Sequence, residues 1–373
     1  MQVFIHNPIE QTLLFSILLG SSALLTLAKK TNYTPLSLTR ELKGFAILAI
    51  IFAHIGYYLS TDSRFLFPLS ILAGVGVNLF LFLSGYGLTF SHLHKEGTVM
   101  QFYMKRLPKL FVPFWMVVSL LFIGSFFLHG AIYSGEYVAE AMVGVFRHAN
   151  LYTDINSPLW YFTLILFYYV LFPIVFVRRH AWITAMVLYG TLWFLVKMDL
   201  PSLRPVIGLY QVHMMAFPLG ILVAWYLKTP RKLWSAVKNT YTQQERFLYP
   251  VSLLALSTLI GYLAFHAHVQ GPAYIEETIS LCTMFPIMAV FLLKKRESKL
   301  LSVFGFFSYE IYLFHWPLMY QYDFLYTRLP AWLATFLYLG LFILLGYVFK
   351  RLSDLIFRTL LAPTTRAGHL TQQ

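Results

Sequence analysis

Residues 42–59 read LKGFAILAIIFAHIGYYL, and they indicate the class of fold by themselves. The segment is apolar and long enough to cross a bilayer, with one cation, Lys43, at its start and one imidazole, His54, inside it. An α-helix rises 1.5 Å per residue, so these two side chains lie about 16 Å apart along the axis, with His54 near the middle of the membrane. Their spacing is close to three helical turns, which predicts that both point to one face.

The whole chain has the composition of a membrane protein. Of its 373 residues, 58% are hydrophobic and only 12% are charged, whereas a soluble domain is about half apolar and about a quarter charged. Too little polar surface remains to coat a water-soluble globule, so ordinary soluble enzymes are excluded. Apolar runs predict an all-α polytopic membrane helix bundle of about eleven transmembrane helices, at 9–28, 44–61, 68–91, 110–129, 159–177, 181–198, 206–227, 247–268, 274–293, 299–322 and 330–350.

The positions of Lys and Arg predict the orientation of the bundle. Residues 1–8 carry no charge, whereas Lys29 and Lys30 follow the first span, which places the N-terminus outside and argues against a cleavable signal peptide. All but five of the 28 Lys and Arg then lie on the cytoplasmic side, together with the C-terminus. The net charge of +13 is therefore mostly a topology signal and not a nucleic-acid patch. The five exceptions are Arg64, Arg147, Lys197, Arg204 and Arg328.

Four further segments carry polar side chains at or near membrane depth, where they are costly unless they face the bundle interior or a cavity. Each also has a packing interpretation, as a close helix contact, a cytoplasmic anchor or part of the aromatic belt. In the last segment Ser308, Tyr312 and His315 share a helix face with Glu310 off it, and Pro317 disrupts the backbone, a pattern typical of a cavity wall. The segments are 78–87 (NLFLFLSGYG), 101–109 (QFYMKRLPK), 157–162 (SPLWYF) and 307–318 (FSYEIYLFHWPL).

The largest outer loop, 130–158, contains a pattern typical of a short helix lying in the membrane interface. Its apolar residues share one helical face, and the charged residues lie off that face. We therefore expect an interfacial helix here and no separate domain. The apolar residues are Tyr137, Val138, Ala141, Met142 and Val145.

Taken in order, these segments resemble the acyltransferase family 3 proteins, integral-membrane enzymes that O-acylate bacterial surface sugars. LKGFAILAIIFAH is similar to the family's basic-Gly-to-His opening helix, NLFLFLSGYGL to its FFxLSG helix, FYMKRLPKLFVPFW to its FxxxRxxR segment, SPLWYF to its LWFL segment, and FSYEIYLFHWPL to its SYxxYLxHxP helix. The resemblance covers about residues 40–330. It divides the chain into an extra N-terminal transmembrane helix with a cytoplasmic linker (1–39), a membrane acyltransferase domain (40–350) and a cytoplasmic tail (351–373).

The chain departs from the family pattern at three places. Lys43 stands where most members have Arg, and Lys109 replaces the second Arg of the basic pair, so a point charge replaces a bidentate phosphate fork. Residues 163–166 carry no acid where many members have a Glu pair. These departures place the chain near a Lys-bearing, polysaccharide acetyltransferase-like branch.

The resemblance implies transfer of an acyl group, most often acetyl, from cytoplasmic acyl-CoA to a hydroxyl of a surface or exported glycan at the bacterial cytoplasmic (inner) membrane. His54 is then either the general base on that hydroxyl or a transient acyl carrier. The other candidates orient His54 or stabilise the developing oxyanion, and three cations bind the phosphates of acetyl-CoA. The implied catalytic residues are His54, His315, Ser308 and Tyr312, and the implied donor-binding residues are Lys43, Arg106 and Lys109.

The expected partners are acyl-CoA, a glycan or lipid-linked sugar acceptor, membrane lipids and proteins of polysaccharide biosynthesis, with no nucleic acid and no metal. A polysaccharide or lipid-linked sugar exporter is the alternative, because many spans with intramembrane His and aromatic residues also suit transport. The sequence shows no inverted repeat of the kind that transporters carry. A non-catalytic membrane subunit that scaffolds polysaccharide machinery is a third interpretation.

Overall fold

The computed structural model describes residues 2–29, 35–227, 245–266 and 272–361, and the structural statements below concern these residues. Nearly all of this part is helical, since a backbone inside lipid must satisfy its own hydrogen bonds. Three short helical turns occur at His54–Leu59, Leu69–Leu72 and Ser157–Leu159. The α-helices are α1 (Pro8–Leu25), α2 (Pro35–Ala53), α3 (Ala73–His94), α4 (Val99–His129), α5 (Gly135–Val143), α6 (Trp160–Val175), α7 (Ala181–Lys197), α8 (Arg204–Gln211), α9 (Ala216–Leu227), α10 (Glu245–His266), α11 (Ala273–Leu293), α12 (Lys299–Phe306), α13 (Ser308–Tyr320) and α14 (Ala331–Leu361).

Each predicted apolar run corresponds to helical structure. Within the described ranges, eight helical segments are long and apolar enough to cross a membrane, and shorter apolar helices lie at Ala181–Lys197 and Pro250–His266. Two runs differ from the prediction, because each is divided into two helices. The run 206–227 is divided at 212–215 into α8 and α9, and the run 299–322 is divided at Phe307 into α12 and α13. The prediction of an all-α polytopic membrane bundle is confirmed. The orientation of the bundle in the membrane stays a prediction. Many of the Lys and Arg residues that predict it lie outside the described residues, in the linker 30–34, the loop 228–244 and the tail beyond 361.

A short antiparallel strand pair, which the sequence pattern did not predict, ties two distant helix ends together. Strand β1 (Leu27–Lys29) follows α1 and pairs with β2 (Arg296–Ser298), which follows α11. Beside it, the fully buried Glu41 of α2 forms an ion pair with Lys294 and accepts a hydrogen bond from the Ser298 amide at 2.6 Å. This end of the bundle is the predicted cytoplasmic end.

A short helix, α5, is present where an interfacial helix is predicted, and its position in the interface stays a prediction. Ser134 caps it by accepting a hydrogen bond from the Tyr137 amide at 3.2 Å. Gly144, at φ 82°, ends it in the left-handed conformation that favours glycine. Val145 was expected on the apolar face of this helix and instead lies after the glycine that ends it.

Helices α2 and α12 cross with their backbones in direct contact. A Cβ built on Gly44 would overlap the Leu301 carbonyl, and one built on Gly305 would overlap the Arg40 carbonyl. Only glycine allows this approach, as small residues do at many helix contacts in membranes. The crossing holds Lys43, next to Gly44, close to the start of α13.

The buried side chains form two hydrophobic clusters. One contains α13 and α14 together with much of α4, and the other is built on α3, α6 and α9. Helix α2 contributes to both: Ile47 and Ile51 lie in the first cluster, and Leu42 and Ala46 lie in the second. One helix therefore joins the two halves of the bundle, and its C-terminal end carries His54.

Candidate active site

A cavity of about 800 Å³ is lined by residues of both clusters, among them Val75 and Ile165 of one and Phe162 of the other. Helices α2, α3, α4, α6, α8, α11 and α13 contribute to its wall. Its size is within the range of small-molecule sites. The structure brings six of the seven candidate site residues to this wall: Lys43, His54, Arg106, Lys109, Ser308 and Tyr312.

His54 is the first residue of a π-helical turn that follows α2. Helix α2 ends at Ala53, and residues His54–Leu59 form one π-helical turn that closes with the Ser60 amide donating to the Ile55 carbonyl at 2.9 Å. Such wide turns are frequent at functional sites. The turn presents the His54 ring to the cavity while the α2 backbone before it stays regular.

His315 is the seventh candidate, and it lies directly behind His54. His54 Nδ1 and His315 Nε2 are 2.8 Å apart, and the two rings stack with centroids 5.0 Å apart and an angle of 23° between their planes. His315 is fully buried, and the Trp316 ring packs 5.4 Å from the His54 ring. His315 therefore contacts the His54 ring but not the cavity.

The hydrogen-bond partners assign the protons of this histidine pair. His315 Nδ1 lies 2.9 Å from the Tyr312 carbonyl and 3.2 Å from the Ile311 carbonyl. Carbonyl oxygens only accept, so His315 Nδ1 carries a proton and the Nε2 of the neutral ring is an acceptor. His54 Nδ1 must then donate to it. In neutral His54 the remaining nitrogen, Nε2, keeps its lone pair, and no described residue forms a hydrogen bond with it.

The hydroxyls of Ser308 and Tyr312 donate to backbone carbonyls. Ser308 Oγ donates to the Gly305 carbonyl at 3.0 Å, and the Tyr312 hydroxyl donates to the Pro158 carbonyl at 2.8 Å. In this arrangement neither proton is left for an oxyanion, because each hydroxyl has a single proton to donate. The Tyr312 contact instead holds α13 against the turn before α6, and the Ser308 contact holds the start of α13 to the end of α12.

The proline of α13 has a specific polar partner. Pro317 lacks an amide proton, so the Leu313 carbonyl one turn earlier loses its helical donor. Asn156, whose side chain is almost fully buried, donates its Nδ2 to that carbonyl at 2.6 Å. This contact fixes the segment that carries His315 against the loop before α6.

Lys43, Arg106 and Lys109 bring positive charge to the cavity wall from two helices. Arg106 and Lys109 are three residues apart on α4 and therefore share a face. Within the described part of the chain, none of the three forms an ion pair. Three cations that line one cavity without a direct ion-pair partner among the described residues favour an anionic ligand there.

A second polar cluster lies at this cavity, and of its three residues only Asn78 lies in a segment that the sequence pattern singles out. His213, in the turn between α8 and α9, lies with its Nδ1 2.8 Å from Asn78 Oδ1, and Asn78 Nδ2 donates to Ser280 Oγ at 2.9 Å. All three are buried, and His213 and Ser280 line the cavity. An imidazole inside a predicted span was the available signal, and it is the same signal that singled out His54.

The fold and this site define an integral membrane helix bundle that holds paired histidines beside a cavity with a basic wall, as expected of a membrane enzyme. The model of the acyltransferase domain, acyltransferase family 3, matches residues 42–351 of the chain. The protein therefore belongs to this family and is an integral membrane acyltransferase. No curated protein and no solved structure matches the chain.

Proposed function

We propose that this acyltransferase moves an acetyl group from cytoplasmic acetyl-CoA to a hydroxyl of a surface or exported glycan, in the bacterial cytoplasmic (inner) membrane. One observation carries the proposal: the tautomer assigned to His54 leaves Nε2 available beside a cavity that three cations line without a direct ion-pair partner among the described residues. A base and an anion-binding wall in one cavity suit transfer from a phosphate-bearing donor to a neutral hydroxyl.

The donor is assigned to the wall formed by Lys43, Arg106 and Lys109. Lysine and arginine bind phosphate oxygens by charge-assisted hydrogen bonds, and these three have no carboxylate partner of their own among the described residues. Lys43 lies about 16 Å from His54 along α2. That separation suits a donor whose charged end and reactive end are joined by a long flexible arm.

In the proposed step, His54 Nε2 accepts the proton of the acceptor hydroxyl as the oxygen attacks the thioester carbonyl carbon. The new C–O bond forms, the C–S bond breaks, and the thiolate of CoA leaves and takes up the proton from His54. Positioned bases of this kind contribute about 10²- to 10⁴-fold to a rate. His315 holds the His54 tautomer and is a positioning residue.

The acyl-carrier role of His54 uses the same nitrogen and differs in its intermediate. An acyl carrier acquires the acetyl group before the acceptor binds. Incubation with labelled acetyl-CoA in the absence of acceptor, followed by mass spectrometry of the intact protein, separates the two roles. We expect no acetylated protein. An acetyl group mapped to His54 would show that His54 is an acyl carrier and not a general base.

The test of the function is mass spectrometry of surface glycans from cells with and without the gene, fed with labelled acetate. We expect labelled O-acetyl groups only when the gene is present, and their loss in cells carrying His54→Asn. His129→Asn is the matched control, because His129 is exposed at the end of α4 and does not line the cavity. Glycans of unchanged mass in an altered location would indicate an exporter instead.

A further inference from the structure

The cluster of Asn78, His213 and Ser280 has no part in the step described above, yet it is built like a binding site. Its side chains are 0%, 5% and 6% exposed, and they come from α3, the α8–α9 turn and α11. Polar groups buried at this depth in a membrane bundle are costly unless they face a cavity or a ligand. Two of the three face the same cavity as His54.

The hydrogen bonds of the cluster define what it offers to a ligand. Asn78 Oδ1 only accepts, so His213 Nδ1 carries a proton and the Nε2 of the neutral ring is a free acceptor. Asn78 Nδ2 donates to Ser280 Oγ, which leaves the Ser280 proton without an acceptor among the described residues. The cavity wall therefore presents one acceptor and one donor side by side.

The cluster is held in place before any ligand binds. The Trp160 ring stacks on the His213 ring with centroids 5.7 Å apart and an angle of 14° between their planes. The Glu277 carboxylate accepts a hydrogen bond from the Met215 amide at 2.6 Å and so anchors the turn that carries His213. Preorganised polar groups bind with a smaller entropy cost than mobile ones.

The cluster and His54 lie at similar depth. Helices α2 and α3 are antiparallel neighbours, and Gly76 of α3 faces Ala46 and Ile50 of α2. Gly74, two residues before Gly76, lies next to His213 and Ser280 and is therefore level with about Ile50. Ile50 is four residues before His54, so at a rise of 1.5 Å per residue the cluster lies about one helical turn from His54 along the bundle axis. A molecule in the cavity can therefore contact both.

The local charge disfavours an anionic ligand at this cluster. Arg204, a cation of the same wall, is 2.8 Å from Asp199 and is compensated by it. The carboxylate residue Glu276 also lines the cavity, one helical turn before Ser280 on α11. The cations assigned to the donor belong to α2 and α4, whereas the cluster belongs to α3, the α8–α9 turn and α11. The donor phosphates and the cluster thus use different parts of the wall.

We propose that His213 and Ser280, positioned by Asn78, bind neighbouring hydroxyls of the acceptor sugar, His213 Nε2 accepting from one and Ser280 donating to the other. This deepens the proposed function and rests on it. The three residues then determine which hydroxyl of the sugar reaches His54, because a site built to pair with a hydroxyl strongly disfavours a substrate that lacks it.

Two substitutions of His213 separate binding from folding. Asparagine places its amide near the Nδ1 position, so His213→Asn keeps the contact with Asn78 and loses the Nε2 acceptor. Glutamine reaches the Nε2 position, so His213→Gln is the rescue variant. His266→Asn is the matched control, since His266 is exposed on α10 and outside the cavity lining.

The assay uses full-length protein in nanodiscs, acetyl-CoA, and surface polysaccharide purified from cells lacking the gene and stripped of O-acetyl groups by mild base. We expect His213→Asn to raise KM for the polysaccharide about tenfold or more, and Ser280→Ala severalfold. The KM for acetyl-CoA should stay within twofold of wild type, and His213→Gln should recover part of the loss.

An unchanged polysaccharide KM in His213→Asn and Ser280→Ala, with active wild-type enzyme, would overturn this inference and leave the proposed function standing. Wild-type protein that transfers no label to the polysaccharide would overturn the proposed function, and this inference with it. Thermal unfolding and gel filtration establish that each variant is folded. Should His213→Asn not accumulate, Ser280→Ala carries the same test, because it removes one hydroxyl only.

Discussion

Replacing His54 by asparagine removes the base and keeps its support. The Asn amide lies near the former Nδ1 position and donates to His315 Nε2, which in wild type is 2.8 Å from His54. What disappears is Nε2, the nitrogen that faces the cavity. His54→Asn therefore tests proton acceptance alone, whereas His54→Ala would also remove the hydrogen bond to His315.

The magnitude follows from the role. A positioned general base contributes about 10²- to 10⁴-fold, which at 1.36 kcal/mol per tenfold corresponds to about 2.7–5.4 kcal/mol of the barrier. We expect kcat of His54→Asn to fall within this range. The KM for acetyl-CoA should change little, because the phosphates are assigned to cations about 16 Å away.

Substitutions of His315 are expected to lower kcat to different extents, according to whether they keep the hydrogen bond to His54. Glutamine places an acceptor near the Nε2 position, so His315→Gln should keep the His54 tautomer and lie within about tenfold of wild type. Leucine leaves the His54 Nδ1 proton without an acceptor, and an unmade buried hydrogen bond costs about 1–3 kcal/mol. His315→Leu should therefore lower kcat about ten- to a hundredfold. A higher kcat in His315→Gln than in His315→Leu would show that His315 acts by positioning His54.

The assay measures CoA release and transfer of labelled acetyl by protein in nanodiscs, with His129→Asn as the control for surface substitution. Each variant is compared at equal amounts of folded protein. His54→Asn retaining more than a tenth of wild-type kcat would refute the assignment of His54. Equal activity of His315→Leu and wild type would refute the tautomer argument.

Three further predictions concern the donor site and the fold. Arg106→Gln should raise KM for acetyl-CoA about tenfold through loss of a charge-assisted contact, whereas Lys105→Gln, exposed on the same helix and outside the cavity, should change it less than twofold in steady-state kinetics. Gly305→Ala should destabilise the protein by about 1–3 kcal/mol, because its Cβ overlaps the α2 backbone; an unchanged thermal midpoint would contradict the close crossing. Lys294→Met should cost about 3–5 kcal/mol, since it leaves the buried Glu41 carboxylate unpaired, and Lys294→Arg should restore most of the lost thermal stability.

The helices were predictable because spanning a membrane is a local property of the chain. About twenty apolar residues in a row suffice for a crossing, whatever lies elsewhere in the sequence. The break at Phe307 and the π-helical turn after Ala53 were not predicted. Both depend on neighbours: α12 must pack backbone to backbone on α2, and His54 must reach a ring on α13.

The site was predictable only in part, for a related reason. His54 and His315 stood out because imidazoles are costly at membrane depth. Their contact joins residues 261 positions apart, and no local pattern determines which nitrogen of each ring faces the other. His213 carried the same cost and was overlooked, because its significance comes from Asn78 and Ser280, which are distant in sequence.

The sequence by itself determined the class of protein, the approximate spans, the family resemblance and a short set of candidate residues, since hydrophobic length and polar residues at depth are properties of single segments. Only the tertiary structure decided that six of those residues share one cavity, that His315 supports His54 from behind, and that Ser308 and Tyr312 donate to backbone carbonyls. Hydrogen bonds act over about 3 Å, so proton positions depend on how distant helices pack.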